Sequence, residues 1–423
     1  MSASGGAHRL DIDKVRELFD LRGGSFAFTG GGFAGDPYPR WHELRETGPV
    51  HEGTLHELTG LEGTAFWHGV PDEGRRHFTC FSYDTCDAVQ RDTEVFASSP
   101  ETVEGREIDI GEISIFNSML AMDGGRHRRY RSLVQPAFVP PKAQWWITNW
   151  IDGTVRALID AFRHDGRAEL NIDFCATIPV LTITSSFGIA VDHALDVRSD
   201  FGNADRMIEI LEPIVAARRT VPGDDLISVL VEAELTDEDG CRHRLSDAEI
   251  YSFAILLLGA GSGTTWKQMG ITLAALLRKP DVLERVRTDR GLLRAAIEES
   301  LRWEATDPMF SRWATRDTSL DGVDIPKGSV VHLCLGAANR DPSRWERPDE
   351  YDIDRPLKSS QGFGSGPHIC LGMHVARAEM STGIGALLDR LPNLRLDPDA
   401  GPPEIIGLYE RGATEINVLF DPV

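Results

Sequence analysis

The chain of 423 residues is short of several things that carry function elsewhere. Its six cysteines, Cys80, Cys86, Cys175, Cys241, Cys334 and Cys370, are scattered and contain no C-x-x-C pair. This argues against a disulfide scaffold or a zinc ribbon and fits a reducing compartment, so a cytoplasmic protein is expected. Positive charge is scarce: 44 Lys and Arg stand against 66 Asp and Glu, a formal charge of −22. Nucleic-acid binders carry basic footprints, so no nucleic-acid partner is expected. There is no apolar run of about 18 residues, so no membrane span is expected. The first residues, MSASGGAHRLDIDK, lack the apolar stretch of a signal peptide. No repeat or low-complexity linker divides the chain. Hydrophobic residues at 41% and charged residues at 26% place it among globular proteins rather than disordered or fibrous ones. Residues 1–9 read as a disordered tail and 10–423 as a single domain.

Helical periodicity dominates from Lys142 onward, over 142–164, 174–187, 195–217, 226–234, 292–303 and 374–391. The first hundred residues are mixed. A short helix follows Pro39, 64–70 and 77–81 suggest a hairpin, and Ser82 caps a helix reaching about Arg91. The stretch 93–120 is irregular, and a loop of that length in a compact protein is usually functional. Residues 319–331 alternate like strand–turn–strand around Pro326 and Gly328. Residues 405–420 suggest a hairpin turning near Arg411–Gly412. The expected fold class is mainly α with small β-sheets.

One long helix is expected to start at Ser246, where Ser246-Asp247-Ala248-Glu249 forms a capping box. The apolar pattern then meets no proline until Pro280, which is over about thirty residues and roughly 50 Å at about 1.5 Å per residue. Its middle reads Leu258-Gly259-Ala260-Gly261-Ser262-Gly263-Thr264-Thr265. Each mid-helix glycine costs about 1 kcal/mol against alanine. Missing side chains would let a flat, bulky object approach the backbone; a helix–helix crossing through small residues would serve equally. Thr264 can hydrogen-bond a carbonyl one turn back and open the helix locally.

A second feature is Phe363-Gly364-Ser365-Gly366-Pro367-His368-Ile369-Cys370-Leu371-Gly372. It presents one cysteine just before an amphipathic helix, where the dipole and free N–H groups favour a thiolate. A buried inert cysteine is the plainer reading. A zinc site from His368, Cys370 and His374 lacks a fourth ligand.

The spacing F-x-x-G-x-H-x-C-x-G resembles the haem-binding signature of the cytochrome P450 monooxygenases. Other motifs agree in order along nearly the whole chain. Glu299-Ser300-Leu301-Arg302 resembles the family's E-x-x-R, and Arg355 matches the second arginine of its buried Glu–Arg–Arg cluster. The resemblance implies the P450 fold, a triangular prism with haem between a long central helix and the cysteine-loop helix. It implies haem b with Cys370 as thiolate ligand and metal contact, and with Phe363, Gly364, Ala260 and Gly261 against the cofactor. His127 and Arg131, in a stretch resembling H-x-x-x-R, would meet the propionates with Arg312 and His368; arginine's fork suits carboxylates. Glu299, Arg302 and Arg355 would be structural.

The implied activity is insertion of one oxygen atom from O2 into a small-to-medium hydrophobic substrate, by hydroxylation or oxidative demethylation. A thiolate ligand favours O–O cleavage. Phe116, Met119, Leu256, Gly259, Pro308, Met309, Phe310 and Tyr409 are expected around the substrate. No reductase-like segment follows Cys370, so electrons should come from a ferredoxin-type donor, which the basic residues Arg126, Arg128 and Arg129 could dock.

The sequence departs from the pattern at one place. The family usually has A/G-G-x-D/E-T where this chain has Ala260-Gly261-Ser262-Gly263-Thr264. Thr264, with Thr265 beside it, is kept, but Gly263 stands where the acid belongs. Water or a substrate hydroxyl could fill the gap. Asp307 or Glu410 could substitute for the acid. The enzyme could instead be peroxide-driven, oxidase-like or, at the extreme, a haem-based sensor without turnover.

Overall fold

The computed structural model describes residues 10–22, 33–60, 74–107, 109, 117–236 and 239–423. The expected tail at 1–9 and the expected strand at 64–70 lie outside these residues.

The capping box at Ser246 forms as the sequence predicts. Ser246 Oγ accepts from the N–H of Glu249, and the Glu249 carboxylate accepts from Ser246 N at 2.8 Å. The helix it starts, Asp247–Gly263, is almost wholly buried along Ile250–Leu258. It is not the single helix expected up to Pro280. The backbone breaks at Thr264 (φ −106°, ψ −45°) and a second helix, Thr265–Leu277, continues. The Thr264 hydroxyl points back to the Ala260 carbonyl at 3.5 Å, and three glycines precede it. A hydroxyl competing for the ladder after glycine-weakened turns is a physical cause of such a break.

Every residue of Thr265–Leu277 is buried. Around this broken helix pack Thr177–Ser186, Leu292–Trp303 and Met373–Arg390, with Asp152–Phe162 behind the first and last of these, and their apolar faces form the largest core cluster. Met373–Arg390 approaches closely at Gly383, where a Cβ would lie 3.3 Å from Met269 Sδ and 3.4 Å from Phe174. Two of the expected helices carry wider π-helical turns, at Ile147–Ile151 and Asn171–Ala176. The expected helix over 195–217 is two, Ala194–Ser199 and Ala204–Thr220, separated around Phe201.

The β structure gathers to one side. Five strands run in the order Val50–Glu52, His77–Cys80, Val330–Cys334, Met309–Ala314, Phe96–Ala97. His77–Cys80 and Val330–Cys334 are parallel; the other pairings are antiparallel. The turn expected around Pro326 and Gly328 lies earlier: Thr318–Leu320 pairs with Val323–Ile325 across Asp321–Gly322, which both take positive φ. The C-terminal segment is also more divided than expected. Ile405–Ile406 pairs with Gly412–Ala413, while Asn417–Leu419 joins Arg395–Leu396 and Arg167–Glu169.

Two buried carboxylates tie the helices to the segments beyond them. Glu299 takes two bonds from Arg302, at 2.8 and 2.7 Å, one from Arg355 at 3.2 Å and one from Asp352 N at 3.0 Å. The sequence foresaw this grouping. It did not foresee the second. Glu304 accepts from Arg411 at 2.6 Å, Arg340 at 3.2 Å and the Tyr38 hydroxyl at 2.8 Å, and Arg340 lies 3.4 Å over the Tyr38 ring. Four distant parts of the chain meet there. Removing one partner of a buried ion pair strands the others. Glu304→Ala should therefore destabilise the fold by about 3–5 kcal/mol, read as a fall in denaturation midpoint. A loss below about 1 kcal/mol would mean that this cluster does not hold the C-terminal segment to the helix at Tyr38.

Candidate haem site

The cysteine loop is shaped by glycines and held by a residue that the motif does not contain. Gly364 and Gly366 have φ of +70° and +69°. A Cβ on Gly366 would sit 2.4 Å from the Gln90 carbonyl oxygen, so neither the conformation nor the space admits a side chain. Gln90, on the helix that Ser82 caps, accepts from Ser365 N at 2.8 Å through its side chain and donates to the Gln361 side chain at 3.3 Å. Inside the loop Cys370 N donates to the Phe363 carbonyl at 2.9 Å. The Phe363 ring carries the Arg377 guanidinium at 4.7 Å, and Arg377 makes a bidentate pair with Glu298.

Cys370 keeps exposed surface, yet burial pushes its thiol above the usual range. The two agree if the surface belongs to an interior space: the sulfur is surrounded by protein but not packed against it. The N–H of Gly372, then Arg131 and Arg377, pull the thiol back down, while Asp307 pushes it up. The helix terminus thus favours the thiolate as expected, but in the protein alone burial outweighs it.

The central helix carries accessible surface at one turn. Its flanks are buried, but Ala260 is exposed and Thr264, one turn on, is partly so. The glycines are a different matter. A Cβ on Gly259 would fall 1.9 Å from the Phe201 ring, and one on Gly261 would fall 2.8 Å from Ile183. These two make a small-residue crossing with neighbouring side chains, which corrects the expectation that they open the backbone to a flat object. Gly263 differs again: the nearest atom to a Cβ there is Arg198 Nη1 at 3.6 Å, which is ordinary contact. Thr265 is buried, facing Glu379, whose carboxyl burial pushes up to about 8.

The four residues matched to propionates converge. His127 and His368 stack with centroids 4.0 Å apart. His368 bonds Ser98 at 2.9 Å and lies 3.7 Å from Asp123. Arg131 donates to the Ile369 carbonyl at 2.7 Å. Arg312 is deep in the protein, interacts with Asp123, and has a buried Nε without a hydrogen-bond partner among the described residues. Burial lowers His127 to about 3 and also lowers His368, so both are neutral near pH 7. The cationic wall expected from four residues therefore rests on two arginines, with the imidazoles as neutral N–H donors. Two guanidinium groups with one carboxylate in reach suit an anionic ligand, since buried charge needs compensation. On this ground the residues present fit haem b.

Of the expected substrate contacts, Phe116 lies outside the described residues. Leu256 and Met119 are buried in the main core. Met309 and Tyr409 pack with Trp41, Leu55 and Cys334 in a separate cluster, and the Tyr409 hydroxyl bonds His56 at 2.8 Å. Pro308 abuts Gly336 beside Trp41. Residues this enclosed offer no surface to a ligand, which corrects the expectation for Met309, Tyr409 and Pro308. Phe310 is partly buried on the edge of the sheet-side core. Sequence reasoning missed Phe201 and Gln90; no local signal marks either one.

The cytochrome P450 family model matches residues 196–407. Cytochrome P450 monooxygenase PikC of Streptomyces venezuelae is 32% identical over 386 residues, covering 87% of each chain. Cytochrome P450 107B1 of Saccharopolyspora erythraea is 36% identical over 296 residues, 66% of this chain and 71% of that one. Among solved structures, Bacillus subtilis PksS, a cytochrome P450 of bacillaene polyketide synthesis, superposes with a TM-score of 0.77 at 27% identity over 95% of this chain and 100% of its own. CYP109E1 of Bacillus megaterium, solved with testosterone, gives 0.76 at 26% over 92% and 100%. The chain belongs to the cytochrome P450 family and has its fold. It is an oxygen-incorporating oxidoreductase that binds haem b; the family uses O2, hydrophobic substrates and a redox partner.

The contrast between glycines is testable by thermal melts. Gly259→Ala should cost about 1–3 kcal/mol because Phe201 must move. Gly263→Ala should gain up to about 1 kcal/mol because the position is open and helical. Equal effects at both would show that Phe201 does not fill the place at Gly259.

Proposed function

We propose that Cys370 is the thiolate ligand of the haem iron, with Arg131, Arg312, His127 and His368 holding the propionates. One observation carries this: Cys370 keeps accessible surface although burial raises its thiol, and two arginines nearby, one half-buried and one deep in the protein, share a single carboxylate, Asp123. Bound haem supplies the activation of O2 for insertion of one oxygen atom into a C–H bond. The chain's own residues have separate tasks. Phe363 and Arg377 cover the loop, and Gln90 fixes its path. Glu299, Arg302 and Arg355 lock the segment leading to it. Ala260 offers a small surface on the other side of the cavity, and the Thr264 hydroxyl can hold a proton or a water there.

The substrate is small to medium and hydrophobic, and the outcome is hydroxylation or oxidative demethylation. The bound testosterone of CYP109E1, and the hexadecenoic acid on acyl carrier protein bound by P450BioI, support that class without selecting a member. Electrons arrive from a ferredoxin-type donor at the Gly124–Val134 helix, where Arg128 is exposed, Arg126 and Arg129 are half-buried, and Arg131 reaches the cysteine loop. On a chain of net charge −22, a basic patch beside the metal would orient an acidic donor. Among the described residues no single helix is long and apolar enough to cross a membrane. The working compartment on this reading is the cytoplasm, and residues 10–423 act as one haem-binding domain.

The reduced, carbon-monoxide difference spectrum of purified protein tests the ligand. A thiolate-type Soret band is expected, and it should vanish in Cys370→Ala. A histidine-type band, or a thiolate band surviving in Cys370→Ala, would overturn the assignment. Charge reversal at Arg126, Arg128 and Arg129 should slow reduction by the donor and flatten its salt dependence.

A further inference from the structure

Three clamps near the central helix each leave an ionisable neighbour facing the others. The Gln268 side chain accepts from Thr306 N at 3.0 Å and donates to the Glu304 carbonyl at 3.2 Å. Arg411 N donates to the Thr306 carbonyl at 2.7 Å, and the Thr306 hydroxyl donates to the Arg411 carbonyl at 2.8 Å. These bonds fix residues 268, 306 and 411. Their chain neighbours are Lys267, Asp307 and Glu410. Lys267 is 1% exposed and ion-pairs with Glu410, which is 22% exposed. Asp307 interacts electrostatically with both, and its buried Oδ1 has no hydrogen-bond partner among the described residues.

The cluster also lies within electrostatic range of the candidate haem site. Asp307 is within electrostatic range of Cys370. Lys267 follows Thr264 by three residues, in the first turn after the break. Glu410 is in range of Arg198, whose guanidinium stands beside Gly263. An unsatisfied carboxylate oxygen deep in a protein is costly. It is a reason to look for a proton on the carboxyl, or for a donor that comes and goes.

We propose that Asp307, Lys267 and Glu410 form a proton relay that feeds the cavity between Thr264 and Cys370. This rests on the haem reading of that cavity. In one cycle the Asp307 carboxyl gives its proton to a water or substrate oxygen: one O–H bond breaks and one forms. The Lys267 ammonium reprotonates Asp307 and becomes an amine. Glu410, the most exposed of the three, takes a proton from solvent and passes it to Lys267. One proton enters per cycle and no charge accumulates. Lys267 and Glu410 also position and tune Asp307. With the relay located here, the glycine at 263 needs no carboxyl of its own.

Burial, partly countered by Lys267 and reinforced by Glu410, raises Asp307 from 3.8 to about 6. A raised carboxyl pKa contributes stability that is present below the unfolded value and lost as pH rises through the folded one. The window is therefore pH 3.8 to about 6. The test uses haem-loaded protein. pH-difference infrared spectra should show a carboxyl band titrating near pH 6 that Asp307→Asn removes and Asp307→Glu restores. Lys267→Met should move the titration to higher pH and Glu410→Gln to lower pH, because the two neighbours act with opposite sign.

Dioxygen consumption driven by NADH through a ferredoxin and its reductase should fall by about a hundredfold or more in Asp307→Asn, the low end of general acid catalysis. A band that survives Asp307→Asn, shifts of the same sign in the two neighbour variants, or unchanged consumption in Asp307→Asn would each overturn the relay. A wild-type protein without a thiolate-type carbon-monoxide spectrum would instead overturn the haem assignment, and the infrared titration would be unaffected.

Discussion

Glu299 is a buried carboxylate, and the path of the chain on either side of it follows from the need to neutralise it. Arg302 engages both its oxygens, and Arg355 and the Asp352 N–H share one of them. The two arginines are then left with spare donors, and the surrounding backbone satisfies them. Arg302 reaches the carbonyls of Asn339, Pro348 and Glu350, and Arg355 reaches those of Glu346, Arg347 and Glu350. One charge on one helix thereby dictates where an irregular segment of some length must run. That segment leads into Gln361, itself tied to Asn339 and Gln90, and so into the cysteine loop. The position of Cys370 depends on this chain of satisfied donors more than on regular structure near it.

What was legible in the sequence was whatever is local or held in a fixed motif. Ser246 and Glu249 are three residues apart and form their box. Glu299 and Arg302 share a helix face and pair. The glycines at 364 and 366 have to be glycines because of their positive φ. What stayed hidden joins residues far apart with no spacing rule between them. Gln90 meets Ser365 across 275 positions, and Glu304 meets Arg411 across 107. Phe201 comes from a break between helices to fill the place that Gly259 leaves, and a pattern of small residues alone cannot say what fills it. The interruption at Thr264 was suggested by its hydroxyl, but propensity could not decide between a bend and a full break.

The apolar core and the polar site divide the work. The helix Thr265–Leu277 is buried along its whole length, and dense packing limits how far the side chains around it can move. The few polar groups inside this shell are consequently held at fixed distances, which is what binding a rigid planar cofactor requires. Gly383, where the cysteine helix crosses Met269 and Phe174, sets how closely the two walls of the site approach.

The stacked pair His127 and His368 has a consequence for the electrical behaviour of the pocket. Both imidazoles are held neutral by burial, and the two nearby guanidinium groups do not titrate in the accessible range. In the protein alone, the positive charge of this wall therefore sits on the two guanidinium groups and not on the imidazoles. A proton-linked change near the cysteine is then felt from the Asp307 side, where a carboxyl raised to about 6 lies within electrostatic range of Cys370.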